Sequence, residues 1–375
     1  MSLFSSTLRV PPECKVTCGN REITELYPHL RELSVEMTRQ MATICTMEFE
    51  TMRVESGHWA VQDSDSLRPW TEFRVDAVFG TRTAEIMRGF IRDVRTELPQ
   101  DIGSARVIVT AQDESFELDR DQVRKVWSSQ QESVSDDGIA DEIARKFDLT
   151  IDVDQGLRHE TMEQDATDIR FLRERAEANG FEVFVREGVL HFHRPRFGNR
   201  EQPTILIHAG SSTNCLDFQV HQDGHRPDAV RMIRAAERGT DPDLIEYGPD
   251  LDLLGTTAAN SENMGLTPFV WTMPQVRGAS RAEATARTQA VANEQSLKIV
   301  ADGELDGALY QDVLLTSEPV SVDGSGPTYD GTYYVDTVTH TFSSDGYRQR
   351  FRLVRNATGQ QQQAGALDVL AAVRS

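Results

Sequence analysis

Residues 329–356 of this chain read YDGTYYVDTVTHTFSSDGYRQRFRLVRN, and the fold is decided here. Two interleaved sets of residues run through its first half: Tyr334, Asp336, Val338, His340 and Phe342 alternate with Tyr333, Val335, Thr337, Thr339 and Thr341. After Asp345-Gly346 the chain returns through Tyr347, Gln349, Phe351 and Leu353. Successive side chains of a strand point to opposite faces, so this period of two predicts an antiparallel hairpin.

The return strand carries a row of three arginines on its other face, Arg348, Arg350 and Arg352. In so acidic a chain, such a row is a candidate docking edge for a partner. The alternative is a solvated face whose arginines pair with local carboxylates, and exposed pairs of that kind contribute little to stability. Both alternatives stay open from the sequence.

The amino-terminal third also predicts strands. Residues 72–79 alternate between apolar and polar side chains, and the run ends at Gly80. Other strands are predicted at 33–38, 44–54, 86–98 and 105–111. Gly89 interrupts the alternation of the strand at 86–98, as a β-bulge or a barrel bend would. Several antiparallel strands at this spacing indicate a small barrel or a sandwich.

The middle of the chain mixes helical and strand patterns. Five apolar residues share one face of a predicted helix: Ile139, Ala140, Ile143, Ala144 and Phe147. A second helix is predicted at 167–179, ended by Gly180 in the left-handed conformation. Strands at 181–185 and 189–193 flank a Glu187-Gly188 turn, which is typical of a hairpin. The sequence therefore predicts an α+β insert between two β regions.

Strand character returns between residues 204 and 236. Residues 239–279 contain four prolines and little periodicity, so we predict a long surface loop there. The alanine-rich stretch 281–298 has no glycine or proline and predicts a helix. From residue 357 the glutamine- and alanine-rich sequence is typical of a flexible tail.

These patterns predict a mainly β fold with an α+β insert, divided into four parts. Residues 1–130 form a first β domain, which part of 204–236 could complete, and residues 131–203 form the insert. Residues 204–356 form a second β domain with the long loop and the helix, followed by the tail at 357–375. A chain of 375 residues is too long for one ordinary core, in keeping with this division.

Composition excludes several classes of function. The formal charge of −21 and the acidic pI of about 4.8 argue against a phosphate-backbone partner, so no nucleic acid is expected. No apolar run reaches membrane-spanning length and no signal peptide is visible, so we expect a chain made in the cytosol that stays there or leaves by lysis. Cys14, Cys18, Cys45 and Cys215 are predicted to be free thiols because no zinc-site spacing occurs.

The sequence offers no catalytic motif, and we predict no catalytic, cofactor-binding or metal-binding residue. His191 and His193 are two apart on a strand and therefore face the same side, where they could hold a metal if a third ligand approached. No third ligand can be identified from the sequence, and an exposed polar face is the simpler interpretation. Pairs of carboxylates carry no weight in a chain with 60 acidic residues.

The order of segments resembles the late control protein D family, which is similar to the hub part of type VI secretion spike proteins. The resemblance covers about residues 20–356. Three segments carry it: residues 87–91 (MRGFI), the insert from 137–140 (DGIA) through Phe171-Leu172 to 179–181 (NGF), and the terminal hairpin. Its most specific part is VTHTF at 338–342, DGY at 345–347 and FRLVRN at 351–356.

The resemblance implies two related tube-type β-barrels plus an inserted helix and hairpin domain. It implies a homotrimer whose six barrels form a ring, so that a threefold spike meets a hexameric tail tube. The implied partners are a separate spike protein, the first tail-tube ring, baseplate wedge proteins and a tape measure protein. Gly89, Gly180, Gly331, Gly346 and Tyr347 would then have turn and packing roles.

The sequence thus predicts a structural hub of a phage tail baseplate or contractile injection system, assembled in the bacterial cytoplasm, and not an enzyme. Such a subunit would be a virion structural protein that initiates the tube. One alternative is a tail-associated peptidoglycan-degrading enzyme, which would need paired carboxylates in a cleft. Another is a carbohydrate-binding module, which would need an exposed aromatic platform beyond the 7% aromatic content of the chain.

Overall fold

A computed structural model describes residues 11–55, 57–128, 133–234, 243–274 and 280–360. In these residues the fold is mainly β, with helices concentrated in an insert and in one long helix near the carboxyl end. The fold class predicted from the sequence is confirmed. The tail predicted to be flexible at 357–375 begins with a short paired strand at Ala357–Thr358, so the prediction is wrong there, and residues from 361 onward lie outside the described part.

Seven strands form the amino-terminal part of a large sheet. They are β1 (Glu13–Cys18), β2 (Arg21–Glu22), β3 (Leu30–Thr38), β4 (Ile44–Glu50), β5 (Glu72–Phe79), β6 (Arg82–Glu97) and β7 (Arg106–Asp113). Their order in the sheet is β3, β4, β7, β6, β5, β1, β2, and all neighbours are antiparallel. The period-two alternation of these strands buries one face of the sheet.

The insert follows with three helices and seven strands. Its elements are α1 (Ser115–Leu118), β8 (Gln122–Ser128), β9 (Val134–Ser135), α2 (Asp136–Lys146), β10 (Thr150–Val153), β11 (Arg158–His159), β12 (Thr161–Thr167), α3 (Asp168–Asn179), β13 (Glu182–Arg186) and β14 (Val189–His193). The Ser135 side chain caps α2 by accepting a hydrogen bond from the Gly138 amide. Gly180 ends α3 with a φ of 70°. Both predicted helices and the hairpin are confirmed.

The carboxyl-terminal part contains the remaining strands and two helices. They are β15 (Gln202–Leu206), β16 (Cys215–Gln222), β17 (Ala229–Arg234), β18 (Asp243–Tyr247), β19 (Thr257–Ala258), β20 (Val270–Met273), α4 (Arg281–Ser296), β21 (Ile299–Asp306), α5 (Gly307–Tyr310), β22 (Pro319–Asp323), β23 (Gly331–Ser343), β24 (Gly346–Arg355) and β25 (Ala357–Thr358). The predicted terminal hairpin is β23–β24, and the alanine-rich helix is α4.

Strand β23 joins the two parts into one 13-stranded sheet with a half-barrel form. The first half of β23 pairs with β22, and the second half pairs with β3, from Thr337 opposite Thr38 to Phe342 opposite Leu33. Along its other side, β23 pairs with β24, which continues the sheet to β21 and β16. Residues about 300 positions apart, such as Thr38 and Thr337, are therefore neighbours across β3 and β23.

The described residues contain three large hydrophobic cores and two smaller clusters. The first lies under the amino-terminal strands and includes Val35 and Val75, and the second lies under the carboxyl-terminal strands and includes Ala301 and Leu353. Strand β23 contributes to both, because Phe342 packs in the first core and Val338 in the second. The third core lies inside the insert.

The bulge predicted at Gly89 is displaced from that residue. Two register shifts lie on either side of it. Ile86 has no partner in the pairing of β6 with β5, and Arg92 has none in the pairing of β6 with β7. Gly89 itself marks a close approach of two strands, since a Cβ there would overlap the carbonyl oxygen of Gln112.

The region 239–279 is not the long loop predicted from its prolines. In its described residues it forms β18, β19 and β20, and β17 lies between β18 and β20 in a small sheet. These strands have only two to five residues each, which is too few for a periodic pattern to show in the sequence. Residues 239–242 and 275–279 lie outside the described part.

Residues 204–236 also pair differently from the prediction that they could complete the first β domain. Strand β15 pairs with β22, β16 pairs with β21, and β17 pairs with β18 and β20. The strand that pairs with β3 is instead β23. Its Phe342 lies on the same buried face of the sheet as Leu33 and Val35 of β3.

Candidate functional site

The arginine row of β24 lies inside the large sheet and not at an edge. Strand β21 is hydrogen-bonded to one side of β24 and β23 to the other, so no backbone edge is free there for a partner. The prediction of a docking edge is wrong in that respect. A partner could reach this row only through the exposed face of the strand.

Each arginine of the row is paired with a carboxylate directly opposite it on β21. Arg350 Nε donates to Glu304 at 2.9 Å and Arg352 Nε donates to Asp302 at 2.8 Å. Arg348 pairs with Asp306 in the same way. The pairing with local carboxylates that the alternative interpretation expects is therefore present, and docking of a partner on this row stays a prediction.

The row belongs to a polar face that continues across both parts of the sheet. Thr337, Thr339 and Thr341 of β23 lie beside it, and Ser34 and Glu36 of β3 come next. The opposite face of the same strands is apolar and covers the two large cores. One chain thus presents a continuous polar surface over two hydrophobic cores, and this surface is the first candidate for a functional site.

A second candidate is the region of the small sheet, where both faces carry exposed apolar side chains: Ile233 and Leu244 on one face, Tyr247 and Trp271 on the other. Eight of the fifteen large apolar side chains that are exposed in the described residues fall between positions 233 and 271. They are Ile233, Leu244, Tyr247, Leu253, Met264, Leu266, Phe269 and Trp271. We call these eight side chains the apolar patch. A concentration of this kind is typical of an interaction surface.

Buried Arg39 connects the large sheet, the insert and α4. Its side chain is 4% exposed, and it donates to Asp336 of β23 at 2.8 Å, to Glu182 of β13 at 3.3 Å and to Glu294 of α4 at 3.1 Å. The Tyr334 hydroxyl donates to the other oxygen of Glu182 at 2.8 Å. Burial raises the pKa of Glu182, while Arg39 acts in the opposite direction.

The residues predicted to have turn and packing roles lie at turns and close contacts. Gly331 and Gly346 have positive φ values at the starts of β23 and β24. The Tyr347 ring stacks on Phe342 with centroids 4.2 Å apart. Its hydroxyl lies 2.8 Å from Nδ1 of His340, which is fully buried. Tyr347 thereby ties the two strands of the hairpin together beneath the sheet.

The histidine pair of β14 has a neighbour that sequence reasoning missed. Asp152 of β10 lies opposite His191 in the parallel pairing, so the three side chains share one face. The interpretation of the pair as an exposed polar face is wrong, because His193 is 2% exposed. Asp152 lies in β10, a short strand that directly follows α2 and was not predicted. Its alternating residues Ile151 and Val153 were the only signal for this strand in the sequence.

The four cysteines are free thiols, as predicted. Burial raises the pKa of the Cys14 and Cys18 thiols to about 12, so both are protonated and unreactive at neutral pH. In the described part of the chain, no helix combines the length and the apolar character needed to cross a membrane.

Solved structures show the class of protein that has this fold. The 43 kDa tail protein of prophage MuSo2 from Shewanella oneidensis is 13% identical, with a TM-score of 0.68 over 92% of this chain and 98% of that one. A tail protein from Neisseria meningitidis MC58 is 14% identical, with a TM-score of 0.60 over 92% and 97% of the two chains. At such identities the likeness shows the fold alone, and the chain has the fold of these tail proteins.

A secretion-system protein shares the fold as well. The Escherichia coli c3393 protein, a component of the type VI secretion system described as structurally similar to the T4 bacteriophage tail proteins gp27 and gp5, is 11% identical. Its TM-score is 0.54, over 92% of this chain and 77% of that one. The same fold therefore occurs in tails and in a secretion apparatus.

The chain belongs to the family described as the Alg8 N-terminal domain, whose model matches residues 12–226. That match spans the first part of the sheet, the insert, β15 and β16. None of the curated proteins compared with this chain matches it. Membership in the late control protein D family stays a prediction.

Proposed function

We propose that this protein is the structural central hub of a contractile tail or injection-system baseplate. In this role it is a homotrimeric adaptor that joins a trimeric spike to the hexameric tail tube. The observation that carries the proposal is the pair of hydrophobic cores under one continuous sheet, joined through β23. A single chain with two such half-barrels is the building block that a change from threefold to sixfold symmetry needs.

A threefold assembly of this chain has six half-barrels. Three copies around a threefold axis place six half-barrels in a ring, and the two kinds of half-barrel alternate around it. One end of such a ring is able to seat a hexameric tube, while the threefold arrangement suits a trimeric spike. The continuous polar face of the sheet lies over both half-barrels, so each ring position presents a similar polar surface.

The fold neighbours support this role. The Shewanella and Neisseria proteins are tail proteins, and the E. coli protein belongs to a secretion apparatus and is described as similar to gp27 and gp5. A fold that recurs in tails and in a secretion component fits a part common to both. The virion tail baseplate or the injection particle, assembled in the bacterial cytoplasm, is accordingly the proposed location.

The apolar patch supports a contact between subunits. Leu244 is 57% exposed and Ile233 lies directly opposite it on β17 at 49% exposed, so the two form an uncovered apolar pair. Covering the patch removes this apolar surface from water, which is the main favourable term in most subunit association. We propose that a neighbouring copy of the chain covers it in the trimer.

The remaining features of the proposal concern partners and domain limits. The spike protein, the first tail-tube ring, wedge proteins and a tape measure protein are the proposed partners, and nucleic acid is not one. The domain limits at residues 130 and 203 are proposed as the ends of the insert. The third hydrophobic core also contains Leu118 and Trp127, which precede residue 130.

Affinity capture of the tagged chain from producing cells tests the proposal. The expected eluate contains tube and spike proteins in fixed ratio to the chain, identified by mass spectrometry. Capture of the chain alone, with peptidoglycan-degrading activity in the eluate, would overturn it in favour of the enzyme hypothesis.

The enzyme hypothesis meets an obstacle at its best carboxylate pair. Burial raises the pKa of Asp113 and of Glu114, which are adjacent in sequence. Asp113 accepts hydrogen bonds from the Thr43 amide at 2.6 Å and the Ser115 amide at 3.0 Å, and Glu114 accepts one from the Gly188 amide at 3.0 Å. These carboxylates hold loops in place, and we propose no catalytic role for them.

A further inference from the structure

The three-stranded sheet of the insert carries a polar cluster on the face away from the insert core. Its strand order is β10, β14, β13, and helices α2 and α3 contact the sheet. Leu190 and Phe192 of β14 point into the insert core. His191 and His193 alternate with these two residues along the strand, so they point to the other face. Asp152 of the neighbouring strand β10 lies on that face as well.

Three donor atoms converge in this cluster. His191 Nδ1 lies 3.4 Å from Asp152 Oδ2, and His193 Nε2 lies 3.5 Å from the same oxygen. The two ring nitrogens are 3.4 Å apart. The donors thus form a nearly equilateral triangle, each corner of which belongs to a different side chain.

The size of this triangle matches a tetrahedral metal site. Donors at about 2.1 Å from a zinc ion in tetrahedral geometry lie about 3.4 Å from one another. Octahedral neighbours at the same bond length would lie only about 3.0 Å apart. As hydrogen bonds, separations of 3.4 to 3.5 Å are long compared with the usual value of about 2.9 Å. The spacing fits coordination better than it fits a hydrogen-bonded cluster.

The surroundings of the cluster orient its donors. Nδ1 of His193 lies 2.7 Å from the carbonyl oxygen of Arg194, so Nδ1 carries the proton and donates it there. Nε2 is then left with its lone pair directed at the cluster, as in most histidine ligands of metals. His193 is a nearly fully buried side chain, which fixes this arrangement.

The carboxylate and the second histidine are held as well. Arg196 Nη2 lies 3.4 Å from Asp152 Oδ1 and 2.9 Å from Asp154 Oδ1, which leaves Oδ2 of Asp152 toward the histidines. The His191 ring stacks on Phe184 with centroids 4.4 Å apart. The Asp152 side chain is 47% exposed, so one side of the triangle is open to water or to a fourth ligand.

We propose that Asp152, His191 and His193 bind one zinc ion per chain, with water as the fourth ligand. Two imidazoles and a carboxylate are a donor set that suits zinc, whereas calcium and magnesium prefer oxygen ligands alone. The ion links the edge strand β10 to β14 and stabilises the insert, because binding to the folded state adds to its stability. This role is independent of the hub function.

Zinc titration of the purified full chain, followed by calorimetry, tests the proposal. The expected result is one Zn²⁺ bound per chain, with Co²⁺ giving the intense visible absorption of a tetrahedral site and Mg²⁺ giving no binding. The Tm should rise with Zn²⁺ and fall again with a chelator.

The matched variants are Asp152→Asn and His191→Gln, both of partly exposed side chains, with Glu174→Gln, at an exposed position of α3, as the control. Zinc affinity should fall at least tenfold in the first two and stay within about threefold in the control. Folding of each variant is checked by circular dichroism before titration. No binding by the wild-type chain, or equal binding by Asp152→Asn and the wild type, would overturn the proposal.

Discussion

Arg39 is the residue on which the contact between insert, sheet and α4 depends most. Replacing it with alanine leaves Glu182, which is 3% exposed, without its cation. Removing one partner of a buried pair costs about 3–5 kcal/mol, because the remaining charge stays desolvated. We expect the Arg39→Ala variant to lose about that much free energy of unfolding in a denaturant titration. Arg31→Ala is the control, since its pair with Glu50 is exposed and should cost less than about 1 kcal/mol.

The same variant makes a prediction about pH. Burial holds the pKa of Glu182 above its ordinary value, and loss of Arg39 raises that pKa further. A raised carboxyl pKa means that the folded state binds more protons than the unfolded state, so stability falls as the pH rises through that pKa. The stability deficit of Arg39→Ala should therefore be smaller at about pH 5 than at about pH 8. A deficit that is equal at both values would contradict the burial of an ionised Glu182.

Alanine substitutions at Gly180 and Gly188 can be compared for their effect on the free energy of unfolding. Both glycines have positive φ, at 70° and 75°. A Cβ at position 180 would lie 2.8 Å from the Cβ of Ala290, whereas nothing lies within 4 Å at position 188. Gly188→Ala should cost about 1–2 kcal/mol for the left-handed backbone alone. Gly180→Ala should cost about 1–3 kcal/mol more, because of the contact with α4. Equal losses in chemical denaturation would show that α4 moves away freely.

At the element scale, the arginine row of β24 can be tested by exchanging charges. Reversing Arg350 and Arg352 to glutamate places like charges opposite Glu304 and Asp302, which is destabilising by up to about 1 kcal/mol per pair. Adding Glu304→Arg and Asp302→Arg restores both pairs with the charges exchanged. We expect this fourfold variant to regain wild-type stability and to assemble normal particles, counted by electron microscopy. Stable protein with few particles would instead show that the row docks a partner.

The elements that the sequence predicts well are those whose pattern is local. Alternation over β23 and β24, the apolar face of α2 and the glycine after α3 are each visible within about a dozen residues. Strands β18 to β20 are missed because they have only two to five residues each, and β20 pairs with β17 about forty residues earlier. The burial of both Tyr333 and Tyr334 is also missed, because Tyr333 packs in the second core while Tyr334 packs against Phe197 on the other face of the strand. Pairing between distant segments leaves no periodic trace in a single sequence.

The candidate sites can likewise be divided into features of one strand, which the sequence predicts, and contacts between strands, which it does not. The arginine row could be predicted because one strand carries it, and its pairing to local carboxylates was one of two alternatives. The partners on β21 and the approach of Asp152 to His191 depend on which strands become neighbours. The apolar patch was not predicted at all, since its residues come from a proline-containing region that lacks strand alternation.

At the scale of the whole molecule, the apolar patch predicts how copies associate. Leu244→Glu places a charge in the proposed subunit contact, and burial of an unpaired charge is strongly unfavourable. We expect this variant to fold and to lose the trimer in analytical ultracentrifugation of captured complexes. Val126→Glu is the control, because Val126 is 58% exposed on the insert and lies outside the patch. A trimer that survives Leu244→Glu would place the subunit contact elsewhere.

The central claim is that three copies of this chain form the ring between spike and tube. Electron microscopy of particles captured through a tag on the chain, with a three-dimensional reconstruction of their spike-proximal end, tests it most directly. The account predicts three copies around the axis, with six half-barrels in a ring against the first tube layer. A reconstruction in which the chain is absent from that position, or is present there as six copies or one, would contradict it.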